Sequence, residues 1–206
     1  MTLAARPVTV ALAVGLALGW FGFPGLVWDV AWHRTLGRDR FLSPPHVLIY
    51  LGVAANGAVA AWALLRGAPR HGAEAFGVPW LSLRGRPVPL GFAVVAAGFA
   101  LALGGAVLDE AWHRAFGKDA NVWSPPHLVG IGGGMVMVAG VALALASHTR
   151  YRTRPGWWAP RALLCFALAD LVHKSVMLLA YYTLAPGRRT PDFYPFLLAL
   201  LLPAVF

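Results

Sequence analysis

Long apolar stretches separated by short polar segments dominate the chain. Five of them reach roughly the 20 residues that a membrane-spanning helix needs, and a shorter sixth follows. They are Val8–Val30, Val47–Leu65, Pro89–Leu108, Leu128–Ala146, Trp158–Leu184 and Phe193–Phe206. Lipid offers no partner for backbone N–H and C=O groups, so a stretch that crosses the bilayer must be helical. The pattern predicts an all-α polytopic transmembrane helix bundle of five to six spans.

The composition agrees with a chain embedded in lipid. Hydrophobic residues make up 59% of the 206 residues, charged residues make up 12%, and the mean hydropathy is +0.65. Soluble domains are about one quarter charged, and so few charges would not cover a soluble surface. We therefore expect a single integral membrane domain over residues 1–206.

The formal net charge of +9 arises from basic residues in the short segments between the apolar stretches. Such charges set the topology of a membrane protein and meet anionic lipid headgroups. No basic patch interleaved with aromatic residues indicates nucleic-acid binding. A small majority of Lys and Arg falls inside the cell if the N-terminus is cytoplasmic, which is the orientation expected for a bacterial plasma membrane protein. It places His71 and His148 in solvated cytoplasmic loops.

An internal repeat connects the apolar stretches in pairs. Residues 28–46 read WDVAWHRTLGRDRFLSPPH, and residues 108–127 read LDEAWHRAFGKDANVWSPPH. The two copies share D-x-A-W-H-R-x-x-G-[R/K]-D followed by S-P-P-H, with one extra residue in the second copy. With two spans each, the repeats at about 8–66 and 88–147 are parallel, and C-terminal helices at about 158–206 follow. Both motifs are therefore expected at one membrane face, the periplasmic or extracellular one.

Each copy of the motif carries one carboxylate and two imidazoles that a helical hairpin can bring together. Asp29 and His33 are four residues apart near the end of a predicted helix, and such residues share a helix face. Ser43 predicts an N-cap and the two prolines after it predict the first helical positions. His46 then lies in the first turn of the next helix. The corresponding residues of the second copy are Asp109, His113 and His127.

Two imidazoles and one carboxylate predict a transition-metal site. Imidazole suits copper, zinc and iron, and three protein ligands leave the open positions that catalysis requires. The alternative is a hydrogen-bonded Asp-x3-His pair at a helix end, with the later histidine at the membrane interface. The copies differ at other positions, such as Val30 and Glu110, yet agree at every candidate ligand, which favours the metal site.

Four other ionisable residues are further candidates. Asp170 and His173 share a face of the fifth span, where they predict an additional ligand, a group that orients a ligand, or a proton relay. The alternative is a buried polar pair that fixes helix packing. Asp39 and Asp119 follow a basic residue in each motif. They predict either an ion pair within the loop or a hydrogen bond that orients a ligand histidine.

Glycines are concentrated in the fourth span. Gly130, Gly132, Gly133 and Gly134 predict close contacts between helices, because small residues let the backbones approach. Access for a substrate past these small residues is the alternative.

The doubled motif resembles one of the membrane subunits of the copper-containing membrane monooxygenases, which include particulate methane monooxygenase and ammonia monooxygenase. The resemblance covers residues 25–135. One copper site of that family has the spacing of Asp29, His33 and His46. A second uses Asn, His and His at a spacing that Asp109, His113 and His127 fit, with Asp in place of Asn. The resemblance implies copper, activation of O₂, and hydroxylation of a small substrate such as an alkane or ammonia.

Three classes of function follow from these patterns. The first is a monooxygenase subunit, which implies partner subunits or a homo-oligomer. The second is a membrane copper or zinc protein without enzymatic activity, used for delivery, sensing or transport. The third is a b-type haem protein with histidine pairs on facing helices, which does not require the Asp-x3-His grouping and ranks last.

Overall fold

The computed structural model describes residues 5–36, 40–67, 80–117, 123–152 and 158–183. Within these ranges the chain forms six α-helices and one β-hairpin. The helices are α1 (Ala5–Trp20), α2 (Gly22–Thr35), α3 (Pro44–Trp62), α4 (Leu90–Phe116), α5 (Pro125–Arg152) and α6 (Ala159–Thr183). A π-helical turn over Ala63–Gly67 extends α3, and strands β1 (Trp80–Leu83) and β2 (Arg86–Pro89) precede α4.

Five helical segments are long and apolar enough to cross a membrane. They are Pro7–His33, Pro44–Leu65, Leu90–Phe116, Pro125–Thr149 and Ala159–Leu179. These segments coincide with the first five apolar stretches, so the predicted all-α bundle of membrane-spanning helices is confirmed. The predicted stretch Phe193–Phe206 lies outside the described residues.

The first membrane segment is interrupted at Phe21. Pro24 has no N–H to offer to the carbonyl of Trp20 four residues earlier. The N–H of Phe21 donates to the carbonyl of Leu18 at 3.1 Å, and regular bonding resumes with the N–H of Gly25, 3.4 Å from the carbonyl of Phe21. The first span therefore consists of two helices, α1 and α2, a break that the apolar pattern did not predict.

The β-hairpin lies in the connection between α3 and α4. Leu83 pairs with Arg86, and the two residues between them, Arg84 and Gly85, have φ angles of 51° and 75°. Two successive positive φ angles are typical of the tightest hairpin turns. The hairpin was not predicted, because each strand has four residues, too few for a clear alternation of polar and apolar positions.

The helices of each repeat form a hairpin, and glycines hold the second hairpin together. A Cβ atom added at Gly98 of α4 would lie 2.5 Å from the backbone nitrogen of Met137 in α5. One added at Gly105 would lie 2.5 Å from the backbone nitrogen of Gly130. Only glycine allows the two backbones to approach so closely. This contact fixes α4 against α5 up to the loop that carries the second motif.

The apolar core lies towards the end of the bundle opposite the two motifs. Its members come from the start of α1, the end of α3, the start of α4 and the end of α5. They include Val8, Leu12, Ala60, Phe92, Val95, Val141 and Leu145, each about 1% exposed or less. Packing is therefore dense away from the motifs, and the candidate site lies at the other end.

His148 belongs to this dense end of the bundle. It is fully buried, and its Nε2 atom lies 3.0 Å from the hydroxyl of Thr9 in α1. The prediction that His148 is a solvated loop residue is therefore wrong. The reason is that α5 continues to Arg152, beyond the end of the apolar stretch, and its last turns pack against α1. His71 lies outside the described residues.

Candidate metal centre

The first motif forms the connection between α2 and α3. Asp29 and His33 lie in the last two turns of α2, and His46 is the third residue of α3. The prolines at the first two positions of α3 start this helix directly after Ser43. Asp29 and His46 are 6% and 7% exposed, so the hairpin brings the carboxylate and the imidazole together away from solvent.

The distances in the first motif centre on the carboxylate of Asp29. Its Oδ1 atom lies 3.1 Å from Nε2 of His46, and its Oδ2 atom lies 3.5 Å from Nδ1 of His33. The ring centroids of His33 and His46 are 6.3 Å apart. All three predicted ligands of the first motif therefore meet at one place.

Backbone carbonyls orient both histidines of the first motif. Nδ1 of His33 donates to the carbonyl of Asp29 at 2.8 Å, and Nδ1 of His46 donates to the carbonyl of Arg40 at 3.2 Å. A carbonyl only accepts, so in the neutral rings Nδ1 carries the hydrogen and Nε2 carries the lone pair. Metal-ligating histidines are held in this way. The lone pair of His46 then faces a carboxylate oxygen, which is stabilising only when a proton or a metal ion lies between them.

The second motif repeats the arrangement between α4 and α5. Oδ1 of Asp109 lies 3.6 Å from Nε2 of His113 and 3.1 Å from Nε2 of His127. One ligand atom from each of the three residues lies within 4.8 Å of the other two. Asp109 is 8% exposed, and both histidines are half-buried. Within the described part of the chain, this triad has the geometry of a group that could hold a metal ion.

The two triads adjoin each other. The ring centroids of His33 and His113 are 5.8 Å apart, with an interplanar angle of 62°. This contact shows that both hairpin loops lie at the same end of the bundle, as a parallel repeat requires. A cavity of about 330 Å³, called here the site cavity, lies between the triads. Its ionisable lining residues are Asp29, His33, His46, Asp109 and His127.

Buried carboxylates require a cation nearby, because desolvation of an unpaired charge costs several kcal/mol. The ion-pair partners of Asp29 and Asp109 in the described residues are histidines. Arg114, next to His113, pairs instead with Glu110 at 2.7 Å on the exposed side of α4. Protonated histidines or metal ions must therefore balance the two carboxylates, and the set of imidazole and carboxylate donors fits a transition metal.

Asp170 and His173 lie elsewhere. Asp170 forms an ion pair with Lys174, one turn further along α6. The ring of His173 contacts those of Trp20 and Phe23, with centroids 5.6 and 4.6 Å away. Among the described residues, neither Asp170 nor His173 makes a polar or ring contact with a triad residue. Their contacts are those of a pair that packs α6 against the break between α1 and α2. Asp39 and Asp119 lie outside the described residues.

Tyr50 was not predicted as a site residue. Its ring centroid is 5.7 Å from that of His46, and it lines the site cavity. The signal for it in the sequence is its position four residues after His46, which places both side chains on one face of α3.

Comparison with models of protein families, with curated proteins and with solved structures found no match to this chain. Its class therefore follows from its own features. Five apolar helical segments indicate an integral membrane protein, and a cluster of Asp and His residues at one end of the bundle could hold a metal ion.

Proposed function

We propose that this chain is a copper protein of the membrane, related in function to the membrane subunit of the copper-containing monooxygenases that its motif resembles. Its triads bind copper, and the centre activates O₂ to hydroxylate a small substrate such as an alkane or ammonia. The observation that carries this proposal is the duplicated set of one carboxylate and two imidazoles, which both hairpins draw together around one cavity.

The donor atoms decide which metals are reasonable. Imidazole nitrogens suit copper, zinc and iron, and a carboxylate adds a hard, charged ligand. Copper is proposed because the spacing of the motif resembles that of the copper sites in the monooxygenase family, and zinc and iron are the alternatives. Copper bound there would supply the one-electron chemistry that reactions of O₂ require.

The chain's own residues would prepare the site for such a metal. The hydrogen bonds from Nδ1 of His33 and His46 to backbone carbonyls hold Nε2 as the ligating atom. Asp29 and Asp109 compensate part of the charge of a metal cation. The rest of the site cavity is lined mainly by apolar side chains, which limit the access of water. Three ligands per triad leave coordination positions for O₂ or substrate.

The orientation and the partners are part of the proposal. The distribution of Lys and Arg supports a cytoplasmic N-terminus in a bacterial plasma membrane, with the triads towards the periplasm. The resemblance to one subunit of a larger enzyme supports assembly with other subunits or with further copies of this chain.

Metal content tests the proposal directly. The full chain is expressed with copper, zinc and iron supplied together, purified in detergent, and its metals are counted. The wild-type protein is expected to retain copper, and the double variant His46→Ala, His127→Ala is expected to lose it. Removing a group that merely orients a ligand costs 10- to 100-fold in affinity, so losing a ligand should cost more than about 100-fold.

The matched control is His173→Ala, which removes a histidine from the same bundle without touching either triad. It should retain the wild-type copper content. A wild-type protein that binds no transition metal, or a double variant that keeps its copper, would contradict the proposal.

Consumption of O₂ separates the enzymatic from the non-enzymatic function. Copper-loaded protein, together with any co-purifying subunits, is expected to consume O₂ when an alkane or ammonia and a reductant are present. Copper bound without turnover would instead favour a protein that stores or delivers the metal. The pairing of Asp170 with Lys174 leaves no series of available ligands across the described part of the bundle, which disfavours metal transport.

A further inference from the structure

A second cavity continues from the site cavity into the middle of the bundle. It has a volume of about 210 Å³ and is called here the lateral cavity. The two cavities share six lining residues, so one begins where the other ends. These shared residues are Leu26, Val30, Ile49, Val53, Gly130 and Ile131.

Two glycines of α5 keep this space open. A Cβ atom added at Gly130 or Gly134 would meet no atom of the described residues within 4 Å, and both glycines line the lateral cavity. They are four residues apart and share a helix face. Gly133, on another face, differs, because a Cβ atom there would collide with the backbone of Ala102 in α4. The glycines of α5 therefore serve two purposes, close packing at Gly133 and open space at Gly130 and Gly134.

The lateral cavity reaches the lipid-facing surface between α2 and α6. Val27 of α2 and Met177 of α6 both line it, and they are 54% and 39% exposed. Exposed apolar side chains within a membrane-spanning segment face lipid. Among the described residues, the cavity is therefore accessible from the bilayer at this position.

The polar residues of the lateral cavity are already satisfied. The charges of Asp170 and Lys174 neutralise each other, and the amine of Lys174 also lies 5.8 Å from the ring centroid of Trp20. The amide of Asn56 donates to the carbonyls of Gly15 and Gly52, each at 3.1 Å. A chain of water molecules needs several polar partners for each molecule, and an ion needs a compensating charge. This space therefore favours an uncharged apolar occupant.

We infer that the site cavity and the lateral cavity form one passage, along which a small uncharged apolar molecule dissolved in the bilayer reaches the triads. Gly134 sets the width of the passage in its lateral part. The inference rests on the proposed function, since it supplies the route by which an apolar substrate or O₂ reaches the metal centre.

Xenon tests the passage without any reaction, because it binds dry apolar cavities. Crystals of the full chain are pressurised with xenon for the wild type, Gly134→Val and Gly132→Val. Wild-type protein is expected to show xenon in both cavities. Gly134→Val, whose side chain would point into the lateral cavity, should lower xenon occupancy there at least fivefold. Gly132→Val is the matched control, because its Cβ atom also meets no described atom within 4 Å and it lines neither cavity.

A second variant keeps the test valid if Gly134→Val does not fold. Met177→Trp enlarges an exposed side chain at the opening and should also reduce xenon in the lateral cavity. Absence of xenon from the wild type, undiminished xenon in both variants, or a lipid chain or protein segment filling the cavity would overturn the inference. Copper content is measured separately on each protein. A wild type that binds xenon but no metal would contradict the proposed function and support the passage.

Discussion

Ser43 stands at the N-cap of α3, but its hydroxyl makes no capping hydrogen bond. The prolines after it occupy the first two helical positions and have no N–H to donate. The hydroxyls of Ser43 and of its counterpart Ser124 are buried and make no hydrogen bond to any residue that the structure describes. At the scale of the residue, the S-P-P-H pattern therefore predicted the start of the helix correctly but not the interaction responsible. The prolines fix the backbone and position the histidine that follows.

Replacement of Ser43 by Ala tests this assignment. A lost N-cap bond typically costs about 1 kcal/mol. Since the hydroxyl of Ser43 makes no such bond, Ser43→Ala is expected to change the free energy of unfolding by less than about 0.5 kcal/mol. Reversible unfolding of the purified protein in detergent measures this difference. A destabilisation above about 1 kcal/mol would show that the hydroxyl caps α3 after all.

At the scale of the element, the two hairpins have the same motif but different packing. Glycines at every seventh position, such as Gly91, Gly98 and Gly105, bring α4 into backbone contact with α5. In the first hairpin, Asn56 of α3 instead donates a hydrogen bond to the carbonyl of Gly15 in α1. The sequence predicted the glycine contacts as a group, but only the packed helices show which glycines are in the interface.

The glycines of α5 give a matched pair for this distinction. Gly133→Ala places a methyl group against the backbone of Ala102, and overpacking of this kind costs about 1–3 kcal/mol. Gly132→Ala meets no neighbour in the described ranges and is expected to be neutral or stabilising by up to about 1 kcal/mol, because alanine is the better helix former. Thermal unfolding of both variants in the same detergent compares them. Equal stability of the two would contradict the close contact.

At the scale of the whole molecule, the duplication places two triads side by side. Each hairpin gathers its own ligands, and the contact between His33 and His113 joins the two sets. The two buried carboxylates lie around a single cavity, so a cation at one triad also lowers the cost of the charge at the other. We therefore expect two metal ions per chain, one in each triad.

The stoichiometry of bound metal checks this expectation. The wild type should hold two ions per chain, and His46→Ala and His127→Ala should each hold one, because each variant disables a different triad. Metal analysis by mass spectrometry, normalised to protein concentration, gives the count. A wild type with one ion that either single substitution abolishes would instead indicate one ion shared by both triads.

The sequence by itself determined the number of described membrane spans and the proximity of ligands within each motif. Both are local properties, since the length of an apolar stretch decides whether it spans a bilayer and the spacing of Asp29 and His33 decides that they share a helix face. The position of His46 followed from the same short stretch of chain. These features need no knowledge of how distant helices pack.

Only the tertiary structure decided how distant parts of the chain meet. The contact of His33 with His113, the burial of His148 against Thr9, and the cavities beside Gly134 all join residues from separate helices. Such contacts depend on how closely each pair of helices approaches, and that distance is set by side-chain shape along the whole interface. Hydrophobic pattern and motif spacing carry no record of it.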